Sequence, residues 1–269
     1  MGYYVRVEQD VNVFVEDINP GGKKVILFIH GWPANHNMFE YQYDQLAQMG
    51  YRCIGVDTRG FGNSDRPAGG YGYDRLADDV HEVIEALKLH DITLAGHSMG
   101  GATAIRYMAR YNERGVAKLA LFGAAAPSLT QRPNFPYGIP AEDVTKIIEN
   151  TNSNRPQMLQ DFGRIFFFQN TTPPFNDWFM WLGFVAAGWA TAQCAVTFRD
   201  ETLFADLPKI TVPTLILHGV NDMVCRFPLA LAMKQGIKNS KLVPFDNSGH
   251  GLFWEERVKF NTELTQFIG

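Results

Sequence analysis

The sequence predicts an α/β fold: a mostly parallel sheet covered by helices on both faces. Three observations carry that expectation. Apolar, strand-like runs recur at residues 11–16, 25–29, 52–56, 92–95, 118–122, 214–217 and 241–245. Between most of them lie stretches of helical periodicity, and strands that alternate with helices build parallel sheets. One run, Ile92-Thr93-Leu94-Ala95, passes through Gly96-His97-Ser98-Met99-Gly100 into a helix-like stretch at residues 102–108.

In chain order, the first two runs are joined by a short turn and are expected to be antiparallel. The clearest helix spans residues 73–87, where Leu76, Val80, Val83, Ile84 and Leu87 recur at helical spacing. The alternation then fails over residues 127–208. Pro127, Pro133, Pro136 and Pro140 interrupt the first part of this segment, Pro173-Pro174 its middle, and aromatics are dense. This reads as a helical cap inserted after the sixth strand, above the sheet ends where ligands bind in open α/β folds. The expected organisation is a core of residues 1–126 and 209–269 with a cap of residues 127–208.

The pentapeptide around Ser98 is a nucleophile elbow by its context, a Gly-x-Ser-x-Gly on a strand–turn–helix junction. A free serine hydroxyl is a poor nucleophile, so the elbow needs a base, an orienting acid and an oxyanion hole. His250, between Gly249 and Gly251 after the last strand-like run, is placed to act as base. Asp222, just past the run 214–217, is placed to orient it. The order Ser98, Asp222, His250 is that of a hydrolase triad on a parallel sheet. The run 25–29 ends in His30-Gly31-Trp32-Pro33, and the amides of Trp32 and Met99 are the expected oxyanion donors. Pro33 has no N–H to donate. Asp57 and Asp246 are weaker candidates for the acid. His30 is expected to be a structural hydrogen-bonder, and His81, His90 and His218 surface or packing residues.

These motifs, with Asp57-Thr58-Arg59-Gly60-Phe61-Gly62-Asn63-Ser64-Asp65, Met99-Gly100-Gly101 and Gly219-Val220-Asn221-Asp222, carry a resemblance over nearly the whole chain. It resembles the α/β-hydrolase superfamily, and within it the cofactor-free bacterial haloperoxidase and arylesterase (perhydrolase) group. The resemblance implies an α/β-hydrolase fold: a mostly parallel eight-stranded sheet flanked by helices, with an inserted helical cap. It further implies a serine carboxylesterase that forms an acyl-enzyme on aryl or short-chain esters. Where hydrogen peroxide replaces water the product is a peracid, which oxidises halide without a metal. Phe162 and Phe166, at i, i+4, match aromatic pocket positions in the resembling esterases; Pro33 and Val224 complete the expected substrate contacts. His97 departs from the phenylalanine that many of the group carry before the nucleophile, and is expected to point away from the pocket.

Composition narrows the alternatives. A hydrophobic content of 46% over 269 residues supports a large core. A net charge of −4 and the lack of a basic cluster give no footprint for nucleic acid. Residues 1–6 lack the apolar core of a signal peptide. Cys53, Cys194 and Cys225 are odd in number and far apart, which suits a reducing, cytoplasmic setting; Cys53 is expected to be a buried, inert thiol. No charged residue falls between Asp177 and Arg199. A membrane span needs roughly 20 apolar residues, a length this window reaches only by including Thr191, Gln193 and Thr197. A pocket-lining helix pair is expected there rather than a membrane contact. The histidines form no metal-ligand cluster, and no nucleotide-binding loop is present, so neither metal nor cofactor is expected. The expected partner is a small-molecule ester. The sequence leaves open a homo-oligomer, a lactamase, lactonase or carbon–carbon hydrolase on the same scaffold, and a non-catalytic ligand sensor.

Overall fold

The computed structural model describes residues 1–269. Its eight strands are β1 (Gly2–Glu8), β2 (Val11–Ile18), β3 (Lys24–Ile29), β4 (Tyr51–Val56), β5 (Ile92–His97), β6 (Val116–Phe122), β7 (Thr214–Gly219) and β8 (Ser240–Phe245). They form one sheet in the order β1-β2-β4-β3-β5-β6-β7-β8. Every pairing from β4 to β8 is parallel, whereas β1–β2 and β2–β4 are antiparallel.

Two expectations need correction here. The sequence reading has no strand over Gly2–Glu8, although Val5 and Val7 alternate inward there. The run 11–16 does not pair with 25–29. As β2 it pairs with β1 on one side and with β4 on the other, because β4 inserts between β2 and β3. Proximity in sequence favoured the hairpin. The apolar β4, open to pairing on both edges, instead separates the two strands.

Nine helices flank the sheet: α1 (Glu40–Gln48), α2 (Tyr73–Ala86), α3 (Met99–Arg110), α4 (Ala141–Phe166), α5 (Pro173–Phe184), α6 (Gly188–Asp200), α7 (Pro228–Gly236), α8 (Leu252–Glu255) and α9 (Arg257–Ile268). The predicted apolar stripe of α2 is buried at Leu76, Val80, Val83 and Ile84, with Leu87 half-buried just past the helix end. The central strands bury both faces: every residue of β5 and of β7 is buried. That is why they read as continuous apolar runs rather than as alternating ones.

Between β6 and β7 lie α4, α5 and α6. Helix α4 breaks at Asn154 (φ −151°, ψ 72°), two residues before Pro156, which has no N–H for the ladder. Arg155, beside the break, donates to the carbonyls of Gly183 (3.1 Å) and Phe184 (3.3 Å). It thereby satisfies carbonyls that the end of α5 leaves without helical partners. These helices have no core of their own. One cluster of 80 buried apolar residues runs from the sheet through Phe162, Phe166, Phe179 and Phe198, so these three helices and the sheet are one packing unit. The uncharged window falls on α5 and α6, which meet at 89°; no single helix is long and apolar enough to cross a membrane.

Candidate active site

Ser98 follows β5 and precedes α3 with φ 54° and ψ −120°. A non-glycine residue at positive φ is strained, and such strain persists only where the surroundings enforce it. They do so here. The Ser98 N–H donates to Phe122 O (2.9 Å), and its carbonyl accepts from Ala102 and Ala125 (3.1 and 3.0 Å). A Cβ on Gly96 would strike the Gly100 carbonyl, and one on Gly100 the carbonyls of Ile29 and His30. Both glycines are therefore needed for α3 to start this close to the sheet.

His250 lies in the loop between β8 and α8, and its ring is fully buried. Its Nδ1 is 2.7 Å from Asp222 Oδ2. Its Nε2 is buried with no hydrogen-bond partner, so the Ser98 hydroxyl, whose recorded contact is Cys225 Sγ at 4.0 Å, does not donate to it here; catalytic hydrogen bonds often tighten only once substrate binds. Its N–H donates to Phe166 O (2.8 Å) at the end of α4, and its carbonyl lies 2.9 Å from His97 Nε2. Asp222, after β7, accepts at Oδ1 from the amides of Val224 (2.8 Å) and Cys225 (2.7 Å). Burial pushes the Asp222 carboxyl up to about 7 against the pull of His218 and these two amides. Burial pulls His250 down, which keeps its ring neutral and able to accept a proton.

The oxyanion candidates stand on either side of the elbow. Met99 opens α3, and neither its N–H nor that of Trp32 has an acceptor among the hydrogen bonds. Two unpaired amides beside a helix N-terminus suit a developing negative charge. The Trp32 ring reaches into the cap: Nε1–H donates to Thr191 O (2.9 Å), and the ring meets Phe162 and Phe198 edge-on at 5.0 and 5.4 Å.

The expected pocket residues divide. Pro33 and Phe162 line one crevice, with Ala34, Leu159, Phe179, Met180 and Gly183; it holds only about 10 Å³. A groove of about 530 Å³ on the cap surface shares Leu159, Phe179 and Met180 with it. Phe166 is 1% exposed and lines neither. Its ring packs edge-on against His250 at 4.8 Å. Val224 contributes its backbone amide to Asp222.

Three residues near the triad candidates make contacts that the sequence reading did not foresee. Cys225 Sγ lies 4.0 Å from Ser98 Oγ. His218, expected at the surface or in packing, is fully buried; its Nε2 is 2.6 Å from Cys225 O and 3.6 Å from Asp222 Oδ2. His97 lines neither the crevice nor the groove, and its ring holds the His250 carbonyl. A partial signal was available: His218 and Cys225 flank Asp222 within four residues at a strand end. His30 is a hydrogen-bonder as expected, its Nε2 accepting from the Thr58 amide (3.0 Å). Asp57 pairs with His36 rather than His250 (2.7 Å), and Asp246 is exposed.

Comparison with known proteins identifies the fold family. Residues 24–257 match the family model described as alpha/beta hydrolase fold. The chain is 50% identical over 267 residues to the AB hydrolase superfamily protein YisY of Bacillus subtilis, covering 99% of both. It is 31% identical over 273 residues to the bifunctional esterase/perhydrolase DCH of Acinetobacter calcoaceticus, covering 98% of this chain and 99% of that one. The solved structure of an esterase from Exiguobacterium antarcticum superposes with a TM-score of 0.97 at 47% identity, covering 100% of this chain and 99% of that one.

Proposed function

The chain belongs to the α/β-hydrolase fold family, and from that premise we propose that it is a serine carboxylesterase for small esters, with perhydrolase activity. The observation that carries the reading is the strained Ser98 beside a buried His250 whose Nε2 is free and whose Nδ1 is held by Asp222 at 2.7 Å. In this mechanism His250 takes the Ser98 proton as the oxygen attacks the ester carbonyl. The Trp32 and Met99 amides stabilise the tetrahedral oxyanion, where one such donor is worth on the order of 10²–10³ in rate. His250 returns the proton to the departing alcohol, and water then cleaves the acyl-enzyme.

The crevice at Pro33 and Phe162, about 10 Å³, is too small for an acyl chain and does not include Ser98 in its lining; the short-acyl reading rests on the tight aromatic packing of Phe162 against Trp32. The larger groove shares Leu159, Phe179 and Met180 with it but contains neither Ser98 nor His250 in its lining. Residues 127–208 would act as a cap that sets specificity and excludes water. The bifunctional relative supports peroxide as a second acyl acceptor. The three free, buried cysteines support a reducing, cytoplasmic setting.

The test is hydrolysis of p-nitrophenyl esters of increasing chain length, with and without peroxide, by wild type and by Ser98→Ala. Wild type is expected to prefer acetyl and butyryl esters and to make peracid. Folded Ser98→Ala is expected to lose at least about 10⁴-fold in rate. A folded Ser98→Ala protein that keeps more than a few per cent of activity overturns the reading.

A further inference from the structure

His97 touches the proposed base, lies against Gly31 of the oxyanion loop and precedes the proposed nucleophile in sequence. Its Nε2–H donates to the His250 carbonyl at 2.9 Å, and the two rings stand 4.4 Å apart. That bond fixes the ring proton on Nε2 and leaves Nδ1 buried without a partner. Nδ1 occupies the space a side chain at Gly31 would take: a Cβ built there collides with it. The ring thus lies under the oxyanion loop, next to the nucleophile in sequence, and against the backbone of the base. Phe166 and Phe253 close its remaining sides at 5.8 and 5.2 Å.

The base needs such a support. His250 sits between Gly249 and Gly251, whose amides are held by Glu255 Oε2 (2.8 Å) and by Phe166 O (3.1 Å). Asp222 fixes the ring through Nδ1 and Phe166 packs edge-on against it, so the ring keeps its place only if the peptide that carries it does. The peptide behind the ring is pinned from both sides, its N–H by Phe166 at the end of α4 and its carbonyl by His97. Because His97 and Ser98 share one strained turn, the bond from His97 makes nucleophile and base move together.

We propose that His97 is a positioning residue that fixes the base relative to the nucleophile through the His250 carbonyl. The proposal rests on reading Ser98 and His250 as nucleophile and base, and the Ser98→Ala assay tests that reading separately. Three variants decide the proposal itself, with p-nitrophenyl acetate as substrate. His97→Phe keeps an aromatic ring and removes the donor. His97→Gln places an amide N–H near the position of the ring Nε2–H. His97→Asn is too short to reach the carbonyl.

His97→Phe is expected to lower kcat on the order of 10-fold, the scale of a sub-ångström misplacement, with KM and melting temperature near wild type. His97→Gln is expected to restore most of that rate. Wild-type kcat in His97→Phe overturns the proposal, as does a His97→Gln enzyme as slow as His97→Phe. If His97→Phe does not fold, His97→Asn takes its place: a rate equal to that of His97→Gln overturns the proposal, and a rate on the order of 10-fold lower supports it.

Discussion

After β4, Asp57 accepts from the His36 ring and from the backbone amides of His36 and Asn63; after β7, Asp222 accepts from the His250 ring and from the amides of Val224 and Cys225. Both ring-to-carboxylate distances are 2.7 Å. Yet the surroundings are opposite. The His36 ring packs on Phe14 at 5.4 Å and borders a surface groove with no serine, threonine or cysteine in its lining. The His250 ring is sealed beside the elbow, with a nitrogen to spare. The carboxylates differ too. Burial pushes both up, but His36 and His30 bring Asp57 back below its ordinary value, whereas Asp222 stays raised, at about 7. A histidine–carboxylate pair is thus a staple in one loop and a candidate proton relay in the other. What separates them is the second ring nitrogen and what it faces.

Exchanging the charge in each loop breaks the comparison most sharply. Asp222→Asn is expected to lower esterase kcat by roughly 10⁴. Asp57→Asn is expected to leave kcat within a few-fold and to destabilise by about 1–3 kcal/mol, the cost of impairing a buried hydrogen-bond network. Equal rate losses at an unchanged melting temperature would mean that Asp57 serves the reaction.

Stability against pH sharpens the same contrast. A carboxyl raised on folding holds its proton longer in the folded state, so its contribution is lost as pH rises from 3.8 towards 7. Asp222→Asn should therefore gain melting temperature relative to wild type between pH 5 and pH 8. The Asp57 carboxyl is lowered on folding, so its contribution is complete above 3.8 and lost only as pH falls through the folded value. The deficit of Asp57→Asn should be constant over the same range. A constant offset for both variants would remove the electrostatic distinction between the loops.

The smaller effects lie at the crevice. Phe162→Ala removes a wall shared with Pro33. It is expected to move the acyl-chain optimum upward, with a gain of roughly 10-fold for each well-filled methylene, the lower end of what such a pocket discriminates. A wild-type optimum already at decanoyl esters, with activation at an interface, would contradict the short-acyl reading. Pro33→Leu is expected to lower the ratio of peracid formation to hydrolysis a few-fold. The expectation rests on the proline fixing the local φ, which would orient the preceding carbonyl to accept from an attacking peroxide. Proportional loss of both rates would reduce Pro33 to a stiffener of the loop.

The sequence disclosed most where chemistry and local geometry coincide. Ser98 stands on a junction that only a strand–turn–helix can make, and Pro173-Pro174 mark the start of α5 in the cap segment. It disclosed less where partners come from afar. His97 and His250 are 153 residues apart, and Ser98 and Cys225 are 127 apart. No periodicity relates such positions; they meet because parallel strands bring their C-terminal ends to one edge. Strand β1 was missed for another reason. It is an edge strand with one buried face, so Val5 and Val7 carry its whole signal.

The carbonyl of Phe166 limits how this scaffold can diversify. It accepts the amides of both His250 and Gly251, at 2.8 and 3.1 Å. Adding one residue within the second half of α4 would turn that carbonyl by about 100° around the helix axis and release the loop. The break at Asn154 divides the helix into a half free to drift and a half that is not. Insertions before it leave that phase untouched, while the turn that ends at Phe166 must keep it. Leu159 and Phe162 lie in the constrained half, so new specificities there should arise by substitution rather than by insertion.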